Sequence, residues 1–297
     1  MRGKSINLFL MDGTPSGRIK CTLANWTGVA YKIPRTELDK CKGRDDLAQS
    51  GVYFLFGTDE DSGDIVVYVG QSGIRKNGEG ILYRLQEHKR NAEKDYWTEA
   101  IVFTTSNNSF GPTEISWLEN RFCAMATEAK RYTVKNGNDP NVGNVTEEKE
   151  SELEEFVDYA KIVMGTLGHK VFEPLRVNAL PKESATDAQA DTKVILELKQ
   201  GITDAKGMLT SDGFVLLKGS KIKMETAASC PKSAKNLRES YAVKVDDKGI
   251  LQEDILLKSP NVAAGFVTGI SINARDAWKT SDGITLKKME NSGAENV

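Results

Sequence analysis

The stretch GVYFLFGTDEDSGDIVVYVGQSG, residues Gly51–Gly73, contains two strand-like runs joined by a segment rich in glycine and aspartate. Runs of β-branched and aromatic residues on either side of such a segment predict a β-hairpin. Because side chains alternate between the two faces of a strand, Tyr53 and Tyr68 are expected to project from one face while bulkier apolar side chains form a core on the other. Neighbouring glycines would leave space around both phenols. Two ordinary strand tyrosines are the alternative interpretation.

Composition places the chain among ordinary globular proteins. Of its 297 residues, 39% are hydrophobic and 28% are charged, which is average for a folded protein. No apolar run approaches the ~20 residues of a membrane-spanning helix, and the short apolar run near the N-terminus is too brief for a secretory signal. We therefore expect a cytoplasmic protein with no membrane partner.

Cysteine usage and net charge narrow the possible functions. The four cysteines are scattered and form no CxxC pair, which argues against a zinc site or a disulfide framework. The net charge of −2 provides no overall attraction for nucleic acid. Both end segments nevertheless carry an excess of basic side chains, which either contact phosphates or belong to an unpatterned surface.

The order of strand-like and helix-like segments predicts an α+β protein with four parts. Residues 1–46 are expected to form a mostly β N-terminal segment, and residues 47–145 combine the hairpin with helices. Residues 146–192 contain an acidic helix and a polar linker, and residues 193–297 form a β-rich C-terminal accessory domain. In that last part, the strand-like runs are TKVILEL, GFVLLKGS, YAVKV, ILLKS and GFVTGIS.

Two helices expected after the hairpin carry polar side chains on apolar faces. In the first, at about 81–94, Arg84 and His88 are four residues apart and are therefore neighbours on the helix surface. In the second, at about 112–133, Glu119 lies within an apolar stripe. An ionised carboxylate there is costly unless it is paired or bound to a metal. The structural alternatives are a hydrogen-bonded core histidine and a buried Glu–Arg ion pair.

Four short motifs in a fixed order resemble those of the GIY-YIG nuclease superfamily. They are GVY at 51–53, YVG at 68–70, RLQEH at 84–88 and LEN at 118–120, and the resemblance covers about residues 47–140. It implies a small three-stranded antiparallel sheet flanked by helices. The second of the four parts would then be a nuclease domain that cleaves DNA with one divalent metal ion.

Carried over by position, the resemblance assigns a site residue to each motif. Tyr53 and Tyr68 match the two signature tyrosines, and Arg84 matches the arginine of the superfamily. Glu119 matches the metal-binding carboxylate. His88 matches a histidine found four residues after that arginine in restriction-enzyme members.

Three further features of this sequence match the motifs of the superfamily less closely. Members carry a late asparagine, for which Asn136 in TVKNGND fits best, with Asn138 as the alternative. A basic residue that often follows YVG is replaced here by Gln71, and the segment IRKNGEGI lengthens the connection to the arginine helix.

The function that the resemblance implies is hydrolysis of phosphodiester bonds in DNA by a divalent-metal-dependent endonuclease. Glu119 would hold Mg²⁺ or Mn²⁺, because a cation that keeps several waters needs few carboxylates, and Arg84 would bind the scissile phosphate. Tyr53 would act as general base, Tyr68 would order the attacking water, and His88 would accept the proton of Tyr53. The alternative is a non-catalytic DNA- or protein-binding module that retains the nuclease scaffold.

The C-terminal part resembles a domain of unknown function that accompanies some of these nucleases. The resemblance lies in AAGFVTGISINARDAWKTSDGITL, residues 263–286. It implies no chemistry, and the domain could read DNA, hold a protein partner, or do both.

Overall fold

The computed structural model divides the chain into two compact units, Met1–Pro174 and Leu175–Val297. The expected linker at 180–192 and the alternative site residue Asn138 lie outside the described residues. Within the described part of the chain, no helix is both long enough and apolar enough to cross a membrane. The structure describes residues 3–59, 63–75, 79–137, 143–174 and 194–294.

The N-terminal unit is built on one seven-stranded sheet. Its strands in chain order are β1 (Ile6–Leu10), β2 (Ile19–Leu23), β3 (Gly28–Pro34), β4 (Gly51–Thr58), β5 (Ile65–Ser72), β6 (Trp97–Thr105) and β7 (Thr133–Val134). Their spatial order is β1-β2-β3-β6-β4-β5-β7. Neighbouring strands are antiparallel, except that the short β7 runs parallel to β5.

This topology corrects the prediction of a small three-stranded sheet, because the three expected strands belong to the seven-stranded sheet. β6, β4 and β5 are adjacent and antiparallel. β3 pairs with the other edge of β6, from Gly28 opposite Thr105 to Pro34 opposite Glu99. Backbone N–H and C=O groups on a strand edge need partners. The N-terminal strands therefore continue the sheet of the hairpin region by hydrogen bonding.

Among the described residues of this unit, three helices and short 3-10 turns accompany the sheet. The helices are α1 (Ile81–Arg90), α2 (Pro112–Ala129) and α3 (Glu147–Thr166), and the turns are Arg35–Cys41, Asp45–Leu47 and Ala92–Lys94. The helix expected to run to 94 ends earlier because Asn91 is extended, with φ −85° and ψ 114°. The Asn91 side chain accepts a hydrogen bond from the backbone N–H of Glu93 and so caps a separate 3-10 turn.

The two faces of the sheet carry separate apolar cores. On one face, Phe54 packs edge-on against Phe122 of α2, with ring centres 5.3 Å apart, and side chains of α3 complete this core. On the other face, Tyr53 and Leu55 pack with Leu85 of α1. The alternation predicted for the first strand of the hairpin is confirmed, because neighbouring residues Tyr53 and Phe54 belong to different cores.

The C-terminal unit combines a four-stranded antiparallel sheet with helices. Its elements are β8 (Ile195–Gln200), β9 (Thr203–Thr210), β10 (Gly213–Leu216), β11 (Ile255–Leu257), α4 (Lys232–Ser240), α5 (Pro260–Thr268), α6 (Ala274–Ala277) and α7 (Leu286–Ala294). The strand order is β11-β10-β9-β8. Phe214 and Trp278 meet in its core with ring centres 4.6 Å apart. Both units therefore mix helices with strands, as the α+β prediction requires.

Two strand-like runs of this unit are helical, which corrects the prediction of a β-rich domain. GFVTGIS lies largely in α5, and YAVKV contains the 3-10 turn Ala242–Lys244. Ser259 caps the start of α5 by accepting a hydrogen bond from the N–H of Val262, and Gly269 ends it with φ 69°. Residues 263–268 are all buried. A short apolar run does not distinguish a buried helix from a buried strand.

A fragment of residues 47–145 is expected to aggregate or unfold, whereas residues 1–174 form a stable protein. The shorter fragment exposes the edge of β6 that β3 covers and removes α3 from the core, and exposed strand edges promote association. Size-exclusion chromatography and thermal unfolding followed by circular dichroism compare the two. A monomeric 47–145 fragment that unfolds cooperatively at the temperature of 1–174 would contradict this dependence.

Candidate functional site

A buried hydrogen bond between Tyr53 and His88 lies at the centre of the candidate site. The Tyr53 hydroxyl is 2.6 Å from Nε2 of His88, and the two residues are only 1% and 3% exposed. Burial lowers the pKa of His88 to about 3, and the positive charges of Lys94 and Arg84 act in the same direction. The imidazole is therefore neutral at pH 7, and a neutral imidazole can accept the Tyr53 proton at Nε2.

Tyr68 lies beside this pair on the same face of the sheet. Its ring centre is 6.3 Å from that of Tyr53 and 5.5 Å from that of His88, and its side chain is only half-buried. In the β4–β5 register Tyr53 lies opposite Gly70. A Cβ atom at Gly70 would be 2.4 Å from the Tyr53 hydroxyl. Glycine is therefore required for the phenol of Tyr53 to occupy this place.

Arg84 approaches Tyr53 from α1, one turn before His88. Burial raises the pKa of the Tyr53 phenol and the neighbouring Tyr68 adds to the rise, whereas the charge and hydrogen bond of Arg84 oppose it. Nη1 of Arg84 also pairs with Oε2 of Glu87 at 2.9 Å. Glu87 in turn accepts two hydrogen bonds from Arg75, both of 2.9 Å. Glu87 therefore holds two arginines at the edge of the site.

Glu119 reaches the site from α2, on the opposite side of the sheet from α1. Its Oε2 accepts a hydrogen bond of 2.9 Å from Nε2 of Gln71, in the last part of β5. Burial raises the pKa of Glu119, while the Gln71 hydrogen bond and the positive charges of Arg84 and Lys94 act to lower it. The Glu119 charge in turn raises the pKa of Tyr68, after the effect of burial. The carboxylate is therefore within electrostatic range of the phenol and both cations.

Glu119 can hold a magnesium ion only if other ligands complete the coordination shell. Among the described residues, no group of three or more His, Cys, Asp or Glu side chains could hold a metal ion. Mg²⁺ commonly binds through one or two carboxylates and takes its remaining oxygens from water and phosphate. A cation would also relieve the cost of burying the Glu119 charge. The donor set fits Mg²⁺ or Mn²⁺ completed by water and a substrate phosphate.

Asn136 binds the backbone of β5 next to Tyr68. Its Oδ1 accepts a 3.0 Å hydrogen bond from the N–H of Val69, and its Nδ2 donates one of 2.8 Å to the C=O of the same residue. Just before it, the N–H of Lys135 donates to the C=O of Val67 at 2.8 Å. Asn136 therefore continues the pairing of β7 with its side chain and fixes the strand that carries Tyr68.

Lys94 is a site residue that the sequence analysis missed. Its Nζ lies 3.2 Å from the centre of the Tyr68 ring, within the range of a cation–π contact. Burial lowers the pKa of Lys94 to about 8, with Arg84 acting in the same direction and Glu119 against it. The sequence did not indicate Lys94 because, on a continuous helix over 81–94, it would not lie on the face of His88. The Asn91 cap followed by Glu93 was the local signal that could have revealed the break.

The structure thus brings most of the predicted site residues together at one end of the β4–β5 hairpin. Tyr53, Tyr68, Arg84 and His88 share one face of the sheet, and Glu119 interacts with them electrostatically from α2. A neutral base, two phenols and a cation are in contact here, and a carboxylate acts on them through its charge. Groups of this kind can move a proton and bind an anion.

Comparison with known proteins gives a match to a family model over part of the C-terminal unit. A family model described as "Domain of unknown function (DUF4357)" matches residues 196–290, a range that includes the stretch 263–286. No curated protein and no solved structure matches the chain. The resemblance of residues 47–140 to the GIY-YIG superfamily stays a prediction from the sequence.

Replacing Gly70 by alanine is expected to lower the unfolding free energy by about 1–3 kcal/mol, the usual cost of overpacking a core. The new Cβ would overlap the hydroxyl and ring of Tyr53, at 2.4–2.8 Å, and would displace the phenol from His88. Gly73→Ala is the matched control, because among the described residues a Cβ there meets only Ile115, at 3.7 Å. Urea unfolding measures the unfolding free energy of both variants. Equal stability of the two variants would contradict the tight fit at Tyr53.

His88 is expected to remain neutral from pH 8 down to about pH 5, since its pKa is lowered to about 3. An unfolded chain takes up this proton at a pKa of ~6.5, so the unfolding free energy should fall as the pH drops below that value. NMR of the imidazole protons tests the titration, and His169→Gln identifies the other of the two histidines. A His88 titration midpoint between pH 6 and 7 would contradict the assignment.

Proposed function

We propose that the N-terminal unit is a divalent-metal-dependent DNA endonuclease of the GIY-YIG type. In this proposal β6, β4 and β5, with α1 and α2, correspond to the three-stranded sheet and helices of that superfamily. The observation that carries the proposal is the buried Tyr53–His88 hydrogen bond, with Tyr68 and Arg84 beside it. A purely structural hairpin has no need of a neutral histidine held against a phenol near a carboxylate and two cations.

Hydrolysis of a phosphodiester needs a base for the attacking water, and Tyr53 with His88 fits that role. A free phenol has a pKa near 10, so only ~0.1% of it is ionised at pH 7. Tyr53 is even harder to ionise because it is buried. The water would give its proton to the Tyr53 oxygen while Tyr53 gives its own proton to Nε2 of His88. No free phenolate is then needed.

The substrate itself would make His88 a better proton acceptor. After burial, the charges of Lys94 and Arg84 hold its pKa down. A bound phosphate carries negative charge that offsets both cations, and a nearby anion favours a protonated imidazole. His88 would therefore stay neutral in the free protein and accept a proton more readily when DNA is bound. Tyr68, the more exposed phenol, would order the attacking water.

The remaining groups would bind the phosphate and stabilise charge. The planar guanidinium of Arg84 can donate hydrogen bonds to two phosphate oxygens. Glu119 would hold Mg²⁺ or Mn²⁺, with water and phosphate oxygens as further ligands. When bound there, such a cation stabilises the negative charge that develops on the leaving oxygen. Asn136 would act indirectly, by holding the β5 backbone at Val69.

A non-catalytic DNA- or protein-binding module is the second candidate function. Two observations favour it: the net charge of −2 and the pairing of Arg75 and Arg84 with Glu87, which occupies cations that a substrate would need. In this case the site would bind a phosphate or an acidic group without cleaving a bond. In either candidate function, the C-terminal unit would help to bind DNA or a protein partner.

Cleavage of linear, branched and single-stranded DNA by the full chain tests the proposal. Wild type is expected to cleave at least one substrate with Mg²⁺ or Mn²⁺ and to stop when EDTA is added. Glu119→Ala should reduce the rate by at least about 10²-fold, in the range of losses for groups that stabilise transition-state charge. Glu128→Ala is the control, because Glu128 is an exposed residue of the same helix.

The two candidate functions give different results in this assay. Salt-dependent binding of DNA by wild type, without cleavage at any concentration of Mg²⁺ or Mn²⁺, would support the binding module. Cleavage that Glu119→Ala leaves unchanged would remove the metal assignment. Cleavage that also continues in EDTA would point to a contaminating nuclease or to another site.

A further inference from the structure

The ammonium group of Lys94 differs from the other cations near the site because it has no acidic partner. Within the described part of the chain, Lys94 forms no ion pair, and its Nζ lies over the Tyr68 ring, 3.2 Å from the ring centre. By contrast, Arg84 and Arg75 are both tied to Glu87, and Lys89 is tied to Asp39 at 2.8 Å. Lys94 is therefore the free cation among these neighbours.

A partly buried ammonium group without an acidic partner is energetically unfavourable. Moving an ammonium partly out of water costs free energy unless an opposite charge is close. A cation–π contact offsets part of this cost. Burial and the charge of Arg84 lower the pKa of Lys94, while Glu119 acts against them without forming an ion pair. An anion bound between Lys94 and Arg84 would relieve this cost.

The backbone places Lys94 there through a specific break in the chain. With 3.6 residues per turn, residue 94 of an uninterrupted helix would lie about 120° around the axis from His88. The extended conformation of Asn91 ends α1, and the following 3-10 turn carries Lys94 onto Tyr68. The Asn91 side chain holds this turn through the N–H of Glu93, at 2.9 Å. Lys94 therefore approaches the site from outside α1.

We infer that Lys94 contacts a phosphate of the bound DNA strand, beside Arg84, and that the break at Asn91 positions it for this contact. The inference rests on the proposed function, because it takes DNA as the source of the anion. It assigns to the 3-10 turn Ala92–Lys94 a part in substrate binding. Two cations on separate segments would hold the strand beside Tyr68, the more exposed of the two phenols.

Binding of a short duplex to the full chain in EDTA, over a range of KCl concentrations, tests this contact without cleavage. Lys94→Gln is expected to weaken binding and to reduce the slope of log K against log salt by about 0.9, the loss of one phosphate contact. Lys94→Arg should restore most of the slope. Lys89→Gln is the control and should behave as wild type, since Lys89 pairs with Asp39. Thermal unfolding confirms that each variant is folded.

The outcomes separate this inference from the proposed function. Wild-type affinity and slope in Lys94→Gln would overturn the inference, whether or not the protein cleaves DNA. Binding that depends on Lys94, with no cleavage by wild type in Mg²⁺ or Mn²⁺, would support the contact and contradict the endonuclease. Absence of DNA binding by wild type would overturn both. Where wild type cleaves, kcat/KM of Lys94→Gln should fall by the same factor as its affinity.

Discussion

The hydrogen bond from Tyr53 to His88 is the interaction on which the candidate site depends. It joins the interior strand β4 to the helix α1 at a place where both side chains are almost completely buried. A buried imidazole without a partner costs roughly 1–3 kcal/mol, so His88 requires the phenol of Tyr53. Gly70 opposite provides the space for the phenol. Once this bond sets the position of α1, Arg84 follows one turn earlier on the helix.

Some charged side chains of the site form ion pairs, whereas others do not. Glu87 pairs with both Arg75 and Arg84 at the edge and leaves one net positive charge there. Glu119 accepts a hydrogen bond from the neutral Gln71, and Lys94 lies on an aromatic ring. Partly buried charges without ion-pair partners are costly in a folded protein. Such groups are characteristic of functional sites, because a ligand can supply the missing partner. A phosphate for the cations and a metal ion for the carboxylate would complete the pairing.

Local signals in the sequence predicted the hairpin and most helix boundaries of the N-terminal unit. The alternation in β4 separates Tyr53 from Phe54, and Pro112 marks the start of α2. These local signals could not predict the seven-stranded sheet. Its strands β3 and β6 pair although about seventy residues of chain separate them, and pairing over such a distance leaves no local pattern in the sequence. The buried helix α5 was misread because its apolar run lacks a polar face.

The sequence by itself determined which residue types are available and which side chains share a face. Strand alternation predicts that Tyr53 and Tyr68 project from one face, and the spacing of four places Arg84 beside His88. Only the tertiary structure decided that Glu119 approaches from across the sheet through Gln71, and that Lys94 lies on Tyr68. The physical reason is that these contacts join separate elements. Their geometry depends on how helices pack against the sheet and on a single backbone break at Asn91.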